Sequence, residues 1–259
     1  MSSIDEDLHD AVRNKDIKTV EQLLLRGANI DAIYYGWTPF QQAVDIGNED
    51  ISLFLVDKGC NITYHDMRHI SPFEDAIDKS QVKVVECLLN HGVDGNAALS
   101  NGEPPILVAV EKECLPLVSV LVSTGNLNLN VTNKLGESPL YVAALEGYHK
   151  ICQILAAAGA DVNFICDDDA KQTPLITATA NEHISVVKTL LKYNCDLNLQ
   201  DGDEWTALWH AYTNCNEELL ELLLKAGADK SIPNRDGITI LEDAKENEDD
   251  DIIEILIKY

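Results

Sequence analysis

A period of about 33 residues dominates this sequence and limits what it can fold into. A Thr/Ser-Pro dipeptide or a relative, then an apolar residue, then Ala three further on, recurs as Thr38-Pro39-Phe40 with Ala43, Ser71-Pro72-Phe73 with Ala76, and Pro104-Pro105-Ile106 with Ala109. It continues as Ser138-Pro139-Leu140 with Ala143, Thr173-Pro174-Leu175 with Ala178, Thr206-Ala207-Leu208 with Ala211, and Thr239-Ile240-Leu241 with Ala244. First positions are 33, 33, 34, 35, 33 and 33 residues apart, a register that marks stacked repeats of one supersecondary unit. A leucine-rich stretch ending in Gly keeps the same beat, as in Leu23-Leu24-Leu25-Arg26-Gly27 and Leu222-Leu223-Leu224-Lys225-Ala226-Gly227. Asn194 stands where one such Gly belongs, and Asn is the next best residue for a left-handed helix end.

Each landmark has a physical reading. Thr or Ser caps a helix and Pro suits its first position. Ala residues let neighbouring helices approach. A turn then leads to a second helix with an apolar stripe at i, i+3 and i+4, such as Val82, Val85, Leu88 and Leu89. Gly ends that helix, and a polar hairpin-like crossing returns to the next Thr-Pro. Two helices and a crossing in about 33 residues resemble the ankyrin repeat family, and Gly136-Glu137-Ser138-Pro139-Leu140-Tyr141-Val142-Ala143-Ala144-Leu145-Glu146-Gly147-Tyr148-His149 is the stretch most similar to its pattern. The resemblance covers nearly the whole chain. It implies an all-α fold with short β-hairpins, an ankyrin-repeat solenoid of about eight helix-turn-helix units forming one continuous domain over 1–259.

The family often carries a His two residues after the Pro. Gln41, Glu74, Leu107, Tyr141, Ile176, Trp209 and Glu242 occupy that place here, which puts some hairpin-linking hydrogen bonds in doubt. The first repeat lacks Thr-Pro and the last is strongly charged. Both look like caps, so the array is expected to be complete. Extra residues fall in crossings around Asn126–Asn130 and Cys166–Ala170, where they enlarge a turn without breaking the stack.

Composition narrows the function. The balance of 19 Lys+Arg against 44 Asp+Glu gives a formal charge of −25, which argues against direct binding to nucleic acid or to anionic membrane. No stretch approaches a membrane span, and the acidic start Met1-Ser2-Ser3-Ile4-Asp5-Glu6-Asp7 does not read as a signal peptide. Seven scattered Cys without a C-x-x-C pair fit a reduced, intracellular protein of the cytoplasm or nucleus. Cys60 and Cys195 take small positions after a helix end and read as core filler, while Cys87 and Cys152 fall on second helices. His65 and His69, near Cys60, have helical metal-ligand spacing but sit in a crossing, so they read as exposed polar residues. No phosphate loop or nucleophile motif is present, and carboxylate pairs mean little among 44 acids. No cofactor, no metal and no catalytic role is expected.

What remains is recognition of another protein. In ankyrin proteins the hairpin tips and first helices line the partner-binding groove. Tyr34, Tyr35 and Trp37 lie in the first full crossing; Trp205 takes the matching register before Thr206, followed by Trp209 and Tyr212. Exposed Trp and Tyr are enriched at binding hot spots. For Trp37 and Trp205 a contact role and packing between hairpins both stand, whereas Tyr34 and Tyr35 at the tip read as contacts and Trp209 as packed on a neighbouring first helix. Asp45, Arg68, Glu103, Asp168 and Glu204, with Tyr212, complete the candidate partner-binding set. The expected activity is that of a scaffold or adaptor, monomeric on its own. The alternative is an acidic inhibitor or chaperone masking a basic protein, such as a nucleic-acid-binding one. The run Glu246-Asn247-Glu248-Asp249-Asp250-Asp251 fits that alternative, or a solvated helix start.

The resemblance also implies a modification. Some ankyrin proteins are hydroxylated at a hairpin Asn preceded by Leu at −8, an acid at −2 and an aliphatic residue at −1. Leu155, Asp161, Val162 and Asn163 match, as do Leu190, Asp196, Leu197 and Asn198. The plain reading is a consensus Asn bonding its own turn. The sixth repeat, weakened by Asn194, offers the better substrate.

Overall fold

The computed structural model describes residues 3–259, all of them in helices, turns and short crossings. Among these residues sixteen α-helices fall into consecutive pairs, and the chain divides into two compact units, Met1–Leu127 and Asn128–Tyr259. The N-terminal unit holds α1 (Ser3–Arg13) and α2 (Ile17–Leu25), α3 (Pro39–Asp45) and α4 (Glu49–Asp57), α5 (Pro72–Asp78) and α6 (Val82–Asn90), and α7 (Pro105–Glu111) and α8 (Leu115–Ser123). The C-terminal unit holds α9 (Pro139–Leu145) and α10 (His149–Ala157), α11 (Pro174–Ala180) and α12 (Ile184–Leu190), α13 (Ala207–Thr213) and α14 (Glu217–Ala226), and α15 (Ile240–Glu246) and α16 (Asp250–Lys258). Within each unit, helices stack on their counterparts one repeat away: α1, α3, α5 and α7 in one, α9, α11 and α13 in the other.

Local chemistry sets these boundaries. The hydroxyls of Thr38, Ser71, Ser138, Thr173, Thr206 and Thr239 each accept the N–H three residues on, capping a seven-residue first helix; Pro fills the next position in the first four. Pro104 offers no hydroxyl, and α7 starts without a side-chain cap. Asn48, Asn216 and Asp249 cap second helices in the same way. Every turn between paired helices contains a left-handed residue: Lys15, Gly47, Ser80, Glu113, Gly147, Glu182, Cys215 and Glu248. Only two of these are Gly, so the turn geometry is imposed by the packed helices rather than by glycine. Asn194 takes φ 54° and ψ 42°, as its substitution for Gly suggested; it follows a 3-10 turn at Leu191–Tyr193 that shortens α12 to seven residues.

The core is the seam between helix layers. Leu8, Val12, Phe40, Ala43, Ile51, Leu55, Ile77 and Leu88 are buried in the N-terminal unit, and Leu140, Ala143, Ile151, Leu155, Leu208 and Leu223 in the C-terminal one. The Ala positions give the close approach their spacing foretold. Cys60, Cys152 and Cys195 are buried free thiols pushed up by that burial, to about 12, 12 and 11. They act as core filler, far from the thiolate that reactivity requires.

The crossings form hairpin turns, but their arms are too short for strands. Among the described residues two isolated bridges occur, Tyr34 with Trp37 and Gln200 with Thr206. In the usual crossing, ladder partners are four residues apart, as for Asp66 N–H to Ile70 O (3.1 Å) and Asp201 N–H to Trp205 O (2.9 Å). An Asx side chain at the first position accepts the N–H groups two and four residues on; Asp66, Asn133, Asp201 and Asn234 all do so. The extra residues near Cys166 enlarge one hairpin, whose closing bond runs from Cys166 N–H to Gln172 O (3.0 Å).

A second ladder joins successive crossings. Asp161 accepts the N–H of Asn163, whose Oδ1 accepts the N–H of Asp196 (2.7 Å); Asp196 accepts that of Asn198, whose Oδ1 accepts the N–H of Asp229 (2.9 Å). The N-terminal unit repeats this device where Asp31 Oδ1 accepts the N–H of Asn61 (2.7 Å). Asn163 and Asn198 therefore fasten the following repeat, beyond the turn-local role their sequence position suggested. Asn163→Ala or Asn198→Ala should each lower unfolding stability by about 1 kcal/mol in urea titration, whereas the neighbouring exposed Lys192→Ala should change it by less than about 0.5 kcal/mol.

Candidate functional site

The doubt about hairpin-linking bonds resolves in part through other side chains. In the first repeat His9 takes the family's His position, and its Nε2–H donates to Ala32 O (2.8 Å). Gln41 Nε2–H reaches Ile70 O (3.3 Å), and Trp209 Nε1–H reaches Ile232 O (3.1 Å). Trp209 is 2% exposed and fixed between helix and hairpin, in keeping with a packing role.

In the N-terminal unit the candidates converge. Tyr34 and Trp37 exchange backbone hydrogen bonds (2.9 and 3.0 Å), with Tyr35 at φ 49° and Gly36 at φ 83° between them, the two left-handed positions of a tight mirror-image hairpin turn. Tyr35 is 82% exposed, and its ring meets the edge of Tyr34 at 4.5 Å. Arg68, from the next hairpin, lies 5.1 Å from the Trp37 ring centroid while its Nε–H donates to Asp66 Oδ2 (2.8 Å). Burial pushes the Asp66 carboxyl up, but the Ile70 N–H, the Arg68 side chain and the Arg68 N–H together hold it below the usual range.

A pocket of about 330 Å³ opens on this side, lined by Arg13, Tyr34, Tyr35, Trp37, Gln42 and Asp45. Gln42 is oriented to donate to His9 Nδ1 (2.9 Å) and to accept from Arg13 Nε (3.3 Å), so the wall continues into the buried histidine. At the end of α3, Lys79 Nζ donates to both Asp45 O (2.9 Å) and Asp45 Oδ1 (2.5 Å). Lys112 repeats the bond one step on, to Asp78 O and Oδ1. Each ammonium thus sits at a helix C-terminus, where the backbone carbonyls favour it. Glu103 lies half-buried in the separate hairpin closed by Leu99 N–H to Glu103 O, away from the pocket lining.

In the C-terminal unit Gly202 N–H donates to Ala170 O (2.7 Å), and a Cβ at Gly202 would lie 2.2 Å from Asp169 O. That close approach sets the Asp168 hairpin beside the Glu204–Trp205 hairpin. Asp168 and Glu204 are exposed and Trp205 is half-buried, its ring 6.2 Å from Trp209 and 5.3 Å from His210. Tyr212 is 8% exposed, and its hydroxyl donates to Asp243 Oδ2 (2.6 Å), so its ring packs inside the unit rather than standing free at the surface. Among the described residues no three metal-type side chains converge, and His65 and His69 are exposed.

Arg13, Gln42, Lys79, Asp201 and His210 were missed in the sequence. Asp201 is buried. Its Oδ1 takes the N–H groups of Asp203 (3.0 Å) and Trp205 (2.9 Å), and its Oδ2 accepts from His210 Nε2–H (2.7 Å). Burial pushes that carboxyl up, but the His210 bond, the Trp205 and Asp203 N–H groups and the charge of His210 hold it below its usual range. The recurring Asx at the first hairpin position was the available signal.

The ankyrin-repeat family model, described as three-copy ankyrin repeats, matches residues 8–99, 76–166, 106–201 and 175–259. The chain belongs to the ankyrin repeat family. It is 28% identical over 188 residues to the ankyrin repeat protein FPV230 of fowlpox virus, covering 71% of this chain and 96% of that one. It is 30% identical over 159 residues to the nuclear factor NF-kappa-B p105 subunit of Gallus gallus, covering 60% of this chain but 16% of that longer protein. Among solved structures, the ankyrin repeat domain of Bcl-3, a member of the IkappaB family, matches with a TM-score of 0.63 and 24% identity over 96% of this chain and 97% of that one, a likeness of fold.

Two buried carboxylates should respond oppositely to pH. Asp75 is 6% exposed, and burial raises its carboxyl despite Lys79 and Arg68. Its contribution to stability is full below the unfolded value near 3.9 and is lost as pH rises through the higher folded value. Asp201, held low, contributes above about 3.9 and loses that contribution as pH falls through its folded value. Asp75→Asn should therefore be more stable than the parent at pH 7 and lose the advantage in acid. Asp201→Ala should be about 2–4 kcal/mol less stable at pH 7, with the difference shrinking in acid. Urea unfolding at pH 3, 5 and 7 checks both signs.

Proposed function

We propose that this protein is a non-catalytic scaffold or adaptor that binds a partner protein on the surface built from its hairpins and first helices. Ankyrin repeat domains are interaction modules, and one observation carries the specific reading: Tyr34, Tyr35, Trp37 and Asp45 line one open pocket in the N-terminal unit, with Arg68 against the Trp37 ring. Tyr and Trp supply large contact area at small entropic cost, and flanking charges set register. The exposed Asp168 and Glu204 with half-buried Trp205 supply a second contact region in the C-terminal unit.

The formal charge of −25 favours a second reading, an acidic inhibitor or chaperone of a basic protein. Salt separates the two. A scaffold anchored by aromatics should lose less than about tenfold in affinity between 50 and 500 mM salt, a charge-masking chaperone far more. In affinity capture, Tyr35→Ala with Trp37→Ala should weaken the partner by about tenfold or more. Cross-links confined to the exposed faces of α4, α6, α10 and α14 would overturn the assignment of the surface.

Asn163 and Asn198 are proposed substrates of an asparaginyl hydroxylase. Both carboxamides fasten the next repeat, so modification needs local opening, which the 3-10 turn and Asn194 ease in the sixth repeat. Peptide mass spectrometry after incubation with active hydroxylase would show a 16 Da gain; unmodified asparagines would end the idea.

A further inference from the structure

Charge bookkeeping around the pocket of the N-terminal unit does not close. Arg13 pairs with Asp10, and Arg68 with Asp66 at 2.8 Å. Lys79 is left to serve two carboxylates, Asp45 at 2.5 Å and Asp75 at 3.9 Å. Four acids thus share three cations. The shortfall shows in the hydrogen bonds: Asp75 is 6% exposed, yet its Oδ2 has no hydrogen-bond partner among the described residues. Asp45, the carboxylate on the pocket wall, engages Lys79 through Oδ1, and its side chain remains 44% exposed. Beside it, Trp37 carries Arg68 against its ring, and the exposed Tyr35 stands at the rim.

We propose that this pocket receives an arginine side chain of the partner protein, its guanidinium lying against the Tyr35 and Trp37 rings and donating to Asp45. The inference rests on the partner-binding reading above and names the chemistry that the same surface selects. Arginine fits better than lysine, because a planar guanidinium stacks on aromatic rings and reaches a carboxylate with a fixed fork, whereas an ammonium is a compact, strongly hydrated point charge. A neutral guest leaves the charge deficit in place, and an acidic guest enlarges it. Arginine binding also accounts for Asp75. Once the guest satisfies Asp45, the Lys79 ammonium is free to close on Asp75, and a buried carboxylate gains a hydrogen bond in place of a 3.9 Å ion pair. Asp75 acts through Lys79 and is a positioning residue; Asp45, Trp37 and Tyr35 touch the guest.

The test is a titration of the full chain with acetyl-Gly-Arg-Gly-amide, followed by the three Trp indole N–H resonances. Matched peptides carry Lys or citrulline in place of Arg. The arginine peptide should shift the Trp37 indole saturably, bind about tenfold tighter than the citrulline peptide, and leave Trp205 and Trp209 unmoved. Asp45→Asn should cost about tenfold in affinity, and Asp75→Asn about threefold by removing the second beneficiary of Lys79. Tyr35→Ala should weaken the arginine peptide by about threefold or more, read at the Trp37 indole; should that variant unfold, Asp45→Asn, which keeps the α3 end intact, still decides. Equal binding of citrulline, indifference to Asp45→Asn, or equal shifts at all three indoles would overturn the arginine pocket. A captured partner that loses affinity with Tyr35→Ala but not with Asp45→Asn would keep the partner-binding surface and reject the arginine. A partner mapped to the second-helix faces would reject the surface, while the peptide titration would still judge the pocket.

Discussion

No pair of helices in this chain can bury its own apolar faces; each needs a neighbouring pair within its unit. A seven-residue helix has fewer than two turns and is unstable alone in water. It persists here because Ala and small apolar residues at a fixed register bring the next first helix close enough to cover it, as Ala43, Ala76 and Ala109 do while fully buried. Stacking also positions the polar devices. Once two pairs are in register, the carboxamide of Asn163 lies within hydrogen-bond reach of Asp196, and the ammonium of Lys79 reaches the carbonyl end of α3. These bonds are consequences of the stack, and they make a slip of one pair against its neighbour costly, since several would break together.

The architecture was readable because the signals that carry it are local and repeated. A Thr-Pro start, a Gly or Asn at a left-handed end, and a 3.6-residue apolar stripe each have a local mechanism, and repetition turns weak evidence into a register. Asn194 shows how far this reaches, since a departure from pattern still identified the backbone conformation. The sites were less legible, because their side chains meet across repeats. Asp45 and Lys79 are 34 residues apart in sequence, Trp37 and Arg68 are 31, and no local rule pairs them. Tyr212 shows the opposite limit. Its position on a first helix suggested exposure, but the ring direction depends on the following repeat, where Asp243 accepts from its hydroxyl and Asn247 donates to it.

Loss of a family residue is compensated at some positions and not at others. At two of the seven positions where the usual His is missing, a side-chain N–H is still aimed at a hairpin carbonyl. An amide at Gln41 and an indole at Trp209 both supply one, at different lengths. Each solution changes what the surface offers. The indole occupies more of the space between helix and hairpin than an imidazole would, and it sets the plane against which Trp205 lies.

The distribution of charge follows a similar logic. Acids at first turns, as in α4, α14 and α16, favour the helix start, and lysines placed at helix ends favour the carbonyls there. Most exposed ion pairs in the two units contribute little to stability. Their arrangement matters more for recognition, because a carboxylate already satisfied by a neighbouring repeat offers less to a partner than one sharing its cation. By that criterion the strength of a negative surface is a poor guide to where a basic partner docks. The acidic run before α16 is dense, but it is spent on capping that helix and is otherwise well solvated. Asp45 and Asp75 are few, but the low-dielectric surroundings of Asp75 and the single lysine between them make one missing cation count for more.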